Sequence, residues 1–378
     1  MDFSKLDGIM EEMPQRGIPS CEIAVAYKGE TVYRKSVGYA DHEKTRPSSP
    51  EDIYWIFSCS KIITCVAGMR LVERGIIRLD DPVSKYIPEF EDLKVRDTKT
   101  GELSDAKTTM TVEHLFTMSG GLDYNFKATP IAEAIEAEGA DTLSIVRAMA
   151  KEPLWFEPGE NFKYSLCHDV LGAVIEVVSG MKYSEYLQKE IFDPLGMKDI
   201  GFRPTEEQKK RFSDQYIYHN GTNYSTPIAT ENQYAFTENY DSGGAGLFST
   251  VDEYMKVISV LANGGTAKNG YVLLRPETIE TLGVNRISDA GRSSFIEGRR
   301  FGYGWGLCGR VHVNPKVSFV KSSAGEFGWD GAAGAFCMID PKKNIAFYFG
   351  THLFGFGYGY SRLHWKLIDL VVEAVEEV

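Results

Sequence analysis

Residues 55 to 61 read WIFSCSK and place Ser58 and Lys61 three positions apart at the entry to an apolar run. On a helix that spacing puts two side chains on one face, one turn apart. A lysine held neutral there can take the serine proton and turn the hydroxyl into a nucleophile. Desolvation is the natural way to neutralise it: moving a lysine from a pKa of ~10.4 to ~7 takes roughly 4 to 5 kcal/mol, within reach of burial beside Trp55 and Phe57. The alternative is an ordinary helical lysine whose stem lies along apolar surface.

The string SxxK alone decides nothing, because it occurs at Ser58/Lys61, Ser104/Lys107, Ser179/Lys182 and Ser318/Lys321. Ser104 sits in a polar run that reads as loop. Ser179 is followed by Gly180, where a helix should stop. Ser318 lies in KVSFVK, whose alternation predicts a strand with the two side chains on opposite faces. Only Ser58 precedes a long helical period, Ile62, Val66, Met69 and Val72, ending at Gly75.

Other chemistries find less support. No serine lies in GxSxG, and no histidine pairs as HExxH or HxH. His168, near Tyr164, reads as a packing or surface residue. There is no P-loop, and six cysteines without CxxC spacing read as buried thiols rather than a zinc site or disulfide framework. A net charge of −12 without a basic cluster argues against nucleic-acid and anionic-membrane partners. The acidic N-terminus, MDFSKLDGIMEEMPQRG, lacks the pattern of a signal peptide, and no apolar run is long enough to span a bilayer, so a cytoplasmic protein is expected. No cofactor and no metal are expected, and the oligomeric state is left open.

The elements that must position Ser58 follow from periodicity. CEIAVAYKGETVYRKSVGYAD alternates on both sides of Lys28-Gly29-Glu30 and predicts a hairpin; GAFCMID and NIAFYFG around DPKKN predict a second. A helix closes the chain from Leu363, and the segments between are mostly helical, as in TVEHLFTMSGG, HDVLGAVIEVVSG and TVDEYMKVISVLANGG. The fold class is therefore α+β: an antiparallel sheet built from the two chain ends, residues 1–85 and 298–378, with a helical domain at 86–297 and the active site in the cleft between them.

Two more segments bear on that cleft. EPGENFKYSLCHDVLG sets Tyr164 at an expected strand-to-helix junction, and SSAGEFGWDGAAGAFCMID offers small residues at a strand start, where a ligand can approach backbone N–H groups. A serine, a lysine, a tyrosine and a backbone edge make an acyl-transfer set.

With these motifs in hand the chain resembles the serine beta-lactamase and penicillin-binding-protein-like superfamily, close to class C beta-lactamases and especially the family VIII carboxylesterases. IFSCSK, GIIRLDDPVSKYIPEF, TVEHLFTMSGGL, PGENFKYSLCHDVLG, DSGGAGLFSTVDEYM, FGYGWG and GWDGAAGAFCMIDP carry the resemblance in order. It implies a beta-lactamase-like fold, with Ser58 as nucleophile, Lys61 as its partner and Tyr164 as a proton-transferring group. It also implies an oxyanion hole from the N–H groups of Ser58 and Ala332. Trp329, Asp330, Gly331 and Leu166 would contact substrate. Two departures shift the expected substrate. Leu166 stands where penicillin-recognising members have asparagine, and Trp329-Asp330-Gly331 stands where they have KTG. Both are similar to the YSL and WGG patterns of family VIII esterases. Lys99-Thr100-Gly101 and Tyr218-His219-Asn220 imitate the lost motifs but sit in a polar loop and a turn. The expectation is a serine carboxylesterase forming an acyl-enzyme with small, short-chain esters. A beta-lactamase, D-amino-acid peptidase or amidase is the alternative, and an inactive binding homologue a third. Water or another alcohol as acceptor stays open.

Overall fold

A computed structural model describes residues 1–297 and 301–376, so the expected boundary at residue 298 and the last two residues lie outside the described residues. Its largest sheet has seven strands in the spatial order Tyr303–Gly306, Gly309–His312, Phe327–Gly328, Phe336–Asp340, Ile345–Thr351, Ser20–Tyr27 and Glu30–Gly38. Every neighbouring pair is antiparallel, and the chain ends meet where Ile23 faces Phe349. The first hairpin turns at Lys28 and Gly29, with φ of 52° and 78°. Two successive left-handed residues give the turn whose twist matches paired strands.

Period-2 alternation assigns the two faces. Ile23, Val25, Met338 and Phe347 pack with Leu6 and Met10 of the helix Ser4–Glu12 and with Leu367 and Val371 of the helix His364–Glu376. Ala24, Ala26, Ala346 and Tyr348 face the main core. The small alanines there allow the helix Val251–Ala262 to lie against Ser20–Tyr27 and Ile345–Thr351. That helix falls inside the interval 86–297 yet packs on the sheet, because its stripe of Val251, Tyr254, Met255 and Ile258 is buried there.

The helix Ser60–Glu73 is buried all round from Ser60 to Leu71, as a helix enclosed between two layers must be. It packs on the helix Cys167–Ser179 on one side. On the other, Tyr254 Oη donates to Cys59 O at 2.9 Å. The residues at its N-terminus are thereby placed where the sheet meets the helical part.

Three local expectations are corrected. KVSFVK is no strand: Pro315 starts the short helix Pro315–Ser318, Asn314 caps it, and Phe319 turns left-handed at φ 58°. Ser104 lies not in loop but in the strand Leu103–Asp105, paired with Lys94–Arg96 in an exposed two-stranded ribbon. Tyr164 follows no strand; its segment is irregular, and the next helix begins at Cys167 with Leu166 at its N-cap.

Candidate active site

Ser58 stands in a tight one-turn helix, Phe57–Cys59, that runs straight into Ser60–Glu73, so the α-helix starts two residues later than its spacing with Lys61 predicts. The residue before it, Phe57, has φ 45° and is fully buried. A non-glycine in this region costs about 1–3 kcal/mol and persists only where packing over-determines it. The Phe57 ring is fixed against Phe354, Tyr234 and His352, with centroids at 5.1, 6.2 and 6.2 Å. The strained residue thus aims the Ser58 side chain while its own ring is locked.

Lys61 is 0% exposed. Its Nζ lies 3.4 Å from Ser58 Oγ and donates to Gly244 O at 2.7 Å. The ammonium also sits over the rings of Tyr164 and Tyr124, 4.6 and 5.3 Å from their centroids. Burial lowers its pKa from the ordinary lysine value to about 8, with the charge of Asp169 acting the other way. A usable fraction is therefore neutral near physiological pH.

Tyr164 receives the indole N–H of Trp329 at 3.1 Å and stacks on Tyr124 with centroids 5.6 Å apart. Burial pushes its phenol far above the usual tyrosine range, hydrogen bonds with Ser58 and Trp329 opposing. At neutral pH it is a phenol, not a phenolate, so Lys61 is the member of the set whose proton is labile.

The segment from Trp329 to Ala332 forms a turn closed by Gly331 N to Ala335 O at 2.8 Å and Gly334 N to Gly331 O at 3.0 Å. The Ala332 N–H takes no part in these two bonds. Tyr360 Oη is 2.8 Å from both Gly331 O and Ala332 O and accepts from Gly334 N at 3.1 Å, pinning the turn from behind. Gly331 permits the close approach: a Cβ there would lie 2.5 Å from Ile56 O, one residue before Phe57.

Ser58, Tyr164, Trp329, Asp330 and Ala332 line one cavity of about 490 Å³, a size suited to a small organic ligand. Lys61 sits behind Ser58 rather than on the wall. Leu166, expected to contact substrate, is instead 2% exposed in the main core; as N-cap it points into the helix packing, and Gly331 acts through its backbone. Tyr124, Phe162, Tyr234 and Phe295, which the sequence reading missed, complete an aromatic wall with Tyr360 of the FGFGYGYS run. They come from irregular segments and from the helical stretches Asp289–Glu297 and Gly359–Leu363, with no shared spacing. Gly244 was readable in principle, since the DSGGAG run marks close packing: a Cβ on Gly243 would lie 2.3 Å from His168 O.

His168 is fully buried, its Nε2 3.1 Å from Phe116 O, and does not line the cavity. Ser60 Oγ accepts from Leu247 N at 3.1 Å and so ties the helix start. Lys99-Thr100-Gly101 lies on the exposed ribbon loop. Among the described residues no group of His, Cys, Asp or Glu is arranged to hold a metal, and no helix is long and apolar enough to cross a membrane.

Comparison with known proteins adds four findings. The family model described as Beta-lactamase matches residues 6–372. The chain is 28% identical over 370 residues to Esterase EstB of Burkholderia gladioli, covering 91% of this chain and 88% of that protein. It is 31% identical over 272 residues to Lovastatin esterase of Penicillium rubens, covering 68% and 65%. Among solved structures, EstCE1, described as a hydrolase with promiscuous acyltransferase activity, superposes with a TM-score of 0.80 at 24% identity, covering 98% of this chain and 97% of that one.

Proposed function

Because this chain belongs to the beta-lactamase family, we propose that it is a serine carboxylesterase that works through an acyl-enzyme on Ser58. One observation carries the reading. A fully buried lysine, with a pKa brought down to about 8, lies 3.4 Å from a serine hydroxyl at the floor of an aromatic cavity. Neutral Lys61 takes the Ser58 proton as Oγ bonds to the ester carbonyl carbon. The developing oxyanion is received by the N–H groups of Ser58 and Ala332. As the carbon–oxygen bond to the alcohol breaks, the Tyr164 hydroxyl delivers a proton to the leaving oxygen and recovers one from Lys61. Water then enters by the same route in reverse and releases the acid.

The substrate class follows from the walls. Trp329 occupies the position where penicillin-recognising relatives carry a cation, and aromatic rings supply most of the remaining surface. Uncharged, small, short-chain esters fit such a site better than a lactam or peptide carboxylate. Esterase names among the relatives support the same direction. The test is hydrolysis of p-nitrophenyl butyrate beside nitrocefin. A higher rate on the ester is expected; a higher rate on the lactam would move the assignment to a beta-lactamase. No labelling of the wild type by a fluorophosphonate would make it an inactive homologue.

A further inference from the structure

Behind the site lies a buried carboxylate with no place in the mechanism above. Asp169, on the first turn of Cys167–Ser179, is 0% exposed. Its Oδ1 accepts from Ser242 Oγ at 2.6 Å, Tyr240 Oη at 2.8 Å and Gly244 N at 3.3 Å. Its Oδ2 is buried and has no hydrogen-bond partner among the described residues. An anionic oxygen in that position is costly unless a cation lies near.

The cation is Lys61, and Gly244 shows how near. A Cβ built on Gly244 would lie 2.5 Å from Asp169 Oδ2 and 3.2 Å from Lys61 Nζ. The bare oxygen and the ammonium therefore flank the same glycine, within the roughly 6 Å over which an opposite charge favours the protonated form. The same glycine bonds both partners: its N–H donates to Asp169 and its carbonyl oxygen accepts from Lys61 Nζ. The ionisable side chains around Lys61 are the phenols of Tyr124, Tyr164 and Tyr234, the thiols of Cys59 and Cys65, and Asp169. Of these Asp169 alone is a carboxylate.

We propose that Asp169 is a positioning residue acting through Lys61: its carboxylate is the counter-charge that sets the pH at which the lysine gives up its proton and Ser58 becomes nucleophilic. The proposal rests on the reading of Ser58 and Lys61 as nucleophile and base. Without a counter-charge, burial would strip the lysine of its proton well below neutrality, leaving it too weak a base to draw the proton from serine. With it, the lysine stays basic and still offers a neutral fraction near physiological pH. A glycine at 244 is required because any side chain would part the pair.

The test is the rate of Ser58 labelling by a fluorophosphonate as a function of pH, in the wild type, Asp169→Asn, Asp169→Glu and Ser58→Ala. Asparagine can keep the bonds to Oδ1 but not the charge. Its acid limb is expected to shift at least about one pH unit lower, while glutamate keeps the wild-type midpoint. A purely structural Asp169 would lower the labelling rate at every pH without moving the midpoint. A folded Asp169→Asn variant whose limb stays in place overturns the proposal. If neither variant folds, the wild-type limb decides. A limb near pH 8 is required, and one at about 5 to 6, where buried lysines lacking a counter-charge titrate, overturns it. Persistent labelling in Ser58→Ala would instead overturn the assignment of the nucleophile, so the two failures are distinguishable.

Discussion

Replacing Gly331 with alanine tests whether the cavity depends on the close approach of two backbones. The added Cβ would sit 2.5 Å from Ile56 O. An ordinary contact needs more than 3 Å, so the turn bearing Ala332 and the turn bearing Ser58 must part by about 0.7 Å or more. Neither side yields cheaply. Ile56 accepts from Cys59 N at 3.1 Å and donates to Leu247 O at 3.0 Å, and Gly331 is tied to Ala335. Because the two proposed oxyanion donors stand on opposite sides of this contact, the displacement goes directly into the oxyanion hole. A misplacement approaching 1 Å costs on the order of 10²-fold in rate, and loss of one such donor costs 10²–10³-fold. For Gly331→Ala we expect kcat on p-nitrophenyl butyrate to fall about 10²-fold with KM changed less than about threefold. Overpacking should also cost roughly 1–3 kcal/mol of stability, read as a lower Tm. A Gly331→Ala enzyme within twofold of the wild-type kcat would refute the placement of the oxyanion hole between these turns.

The remaining predictions concern the proton path and its supports. Since Lys61 must be neutral to accept a proton and its pKa is about 8, kcat/KM for the ester should rise about tenfold from pH 7 to pH 9 and level off above. A profile with no acid limb anywhere between about pH 5 and pH 9 would remove lysine as the base. Tyr164→Phe keeps the stack on Tyr124 but not the hydroxyl, and should lower kcat about 10²–10⁴-fold while leaving Tm within a few degrees; unchanged kcat would remove Tyr164 from proton transfer. Tyr360→Phe deletes the hydroxyl bonded to Gly331 O, Ala332 O and Gly334 N and should cost about 1–3 kcal/mol, measured by denaturant unfolding, together with a loss of kcat.

Local periodicity made the sheet legible. Ile23 and Val25 against Ala24 and Ala26 alternate in sequence as they do in space, and Lys28-Gly29 marks its own turn. The Ser58–Lys61 pair was legible because both partners are separated by one helical turn. What stayed hidden depends on contacts between distant segments. Nothing around Phe57 announces its left-handed backbone, which is imposed by Tyr234, His352 and Phe354. Leu166 was expected on the wall because it stands where penicillin-recognising relatives carry asparagine, but the helix start at Cys167 turns it into the core. The stretch KVSFVK kept a strand pattern while Pro315 and Asn314 favoured a helical turn. The helix Val251–Ala262 joined the sheet rather than the helical part because the alanine face of the sheet leaves room for it.

Trapping the acyl-enzyme tests the central claim most directly. Protein mixed with p-nitrophenyl butyrate and quenched in acid within one turnover should gain the mass of one butyryl group, located by peptide fragmentation on Ser58 and missing from Ser58→Ala. A butyryl group on another residue, or full hydrolysis by Ser58→Ala, would contradict the account.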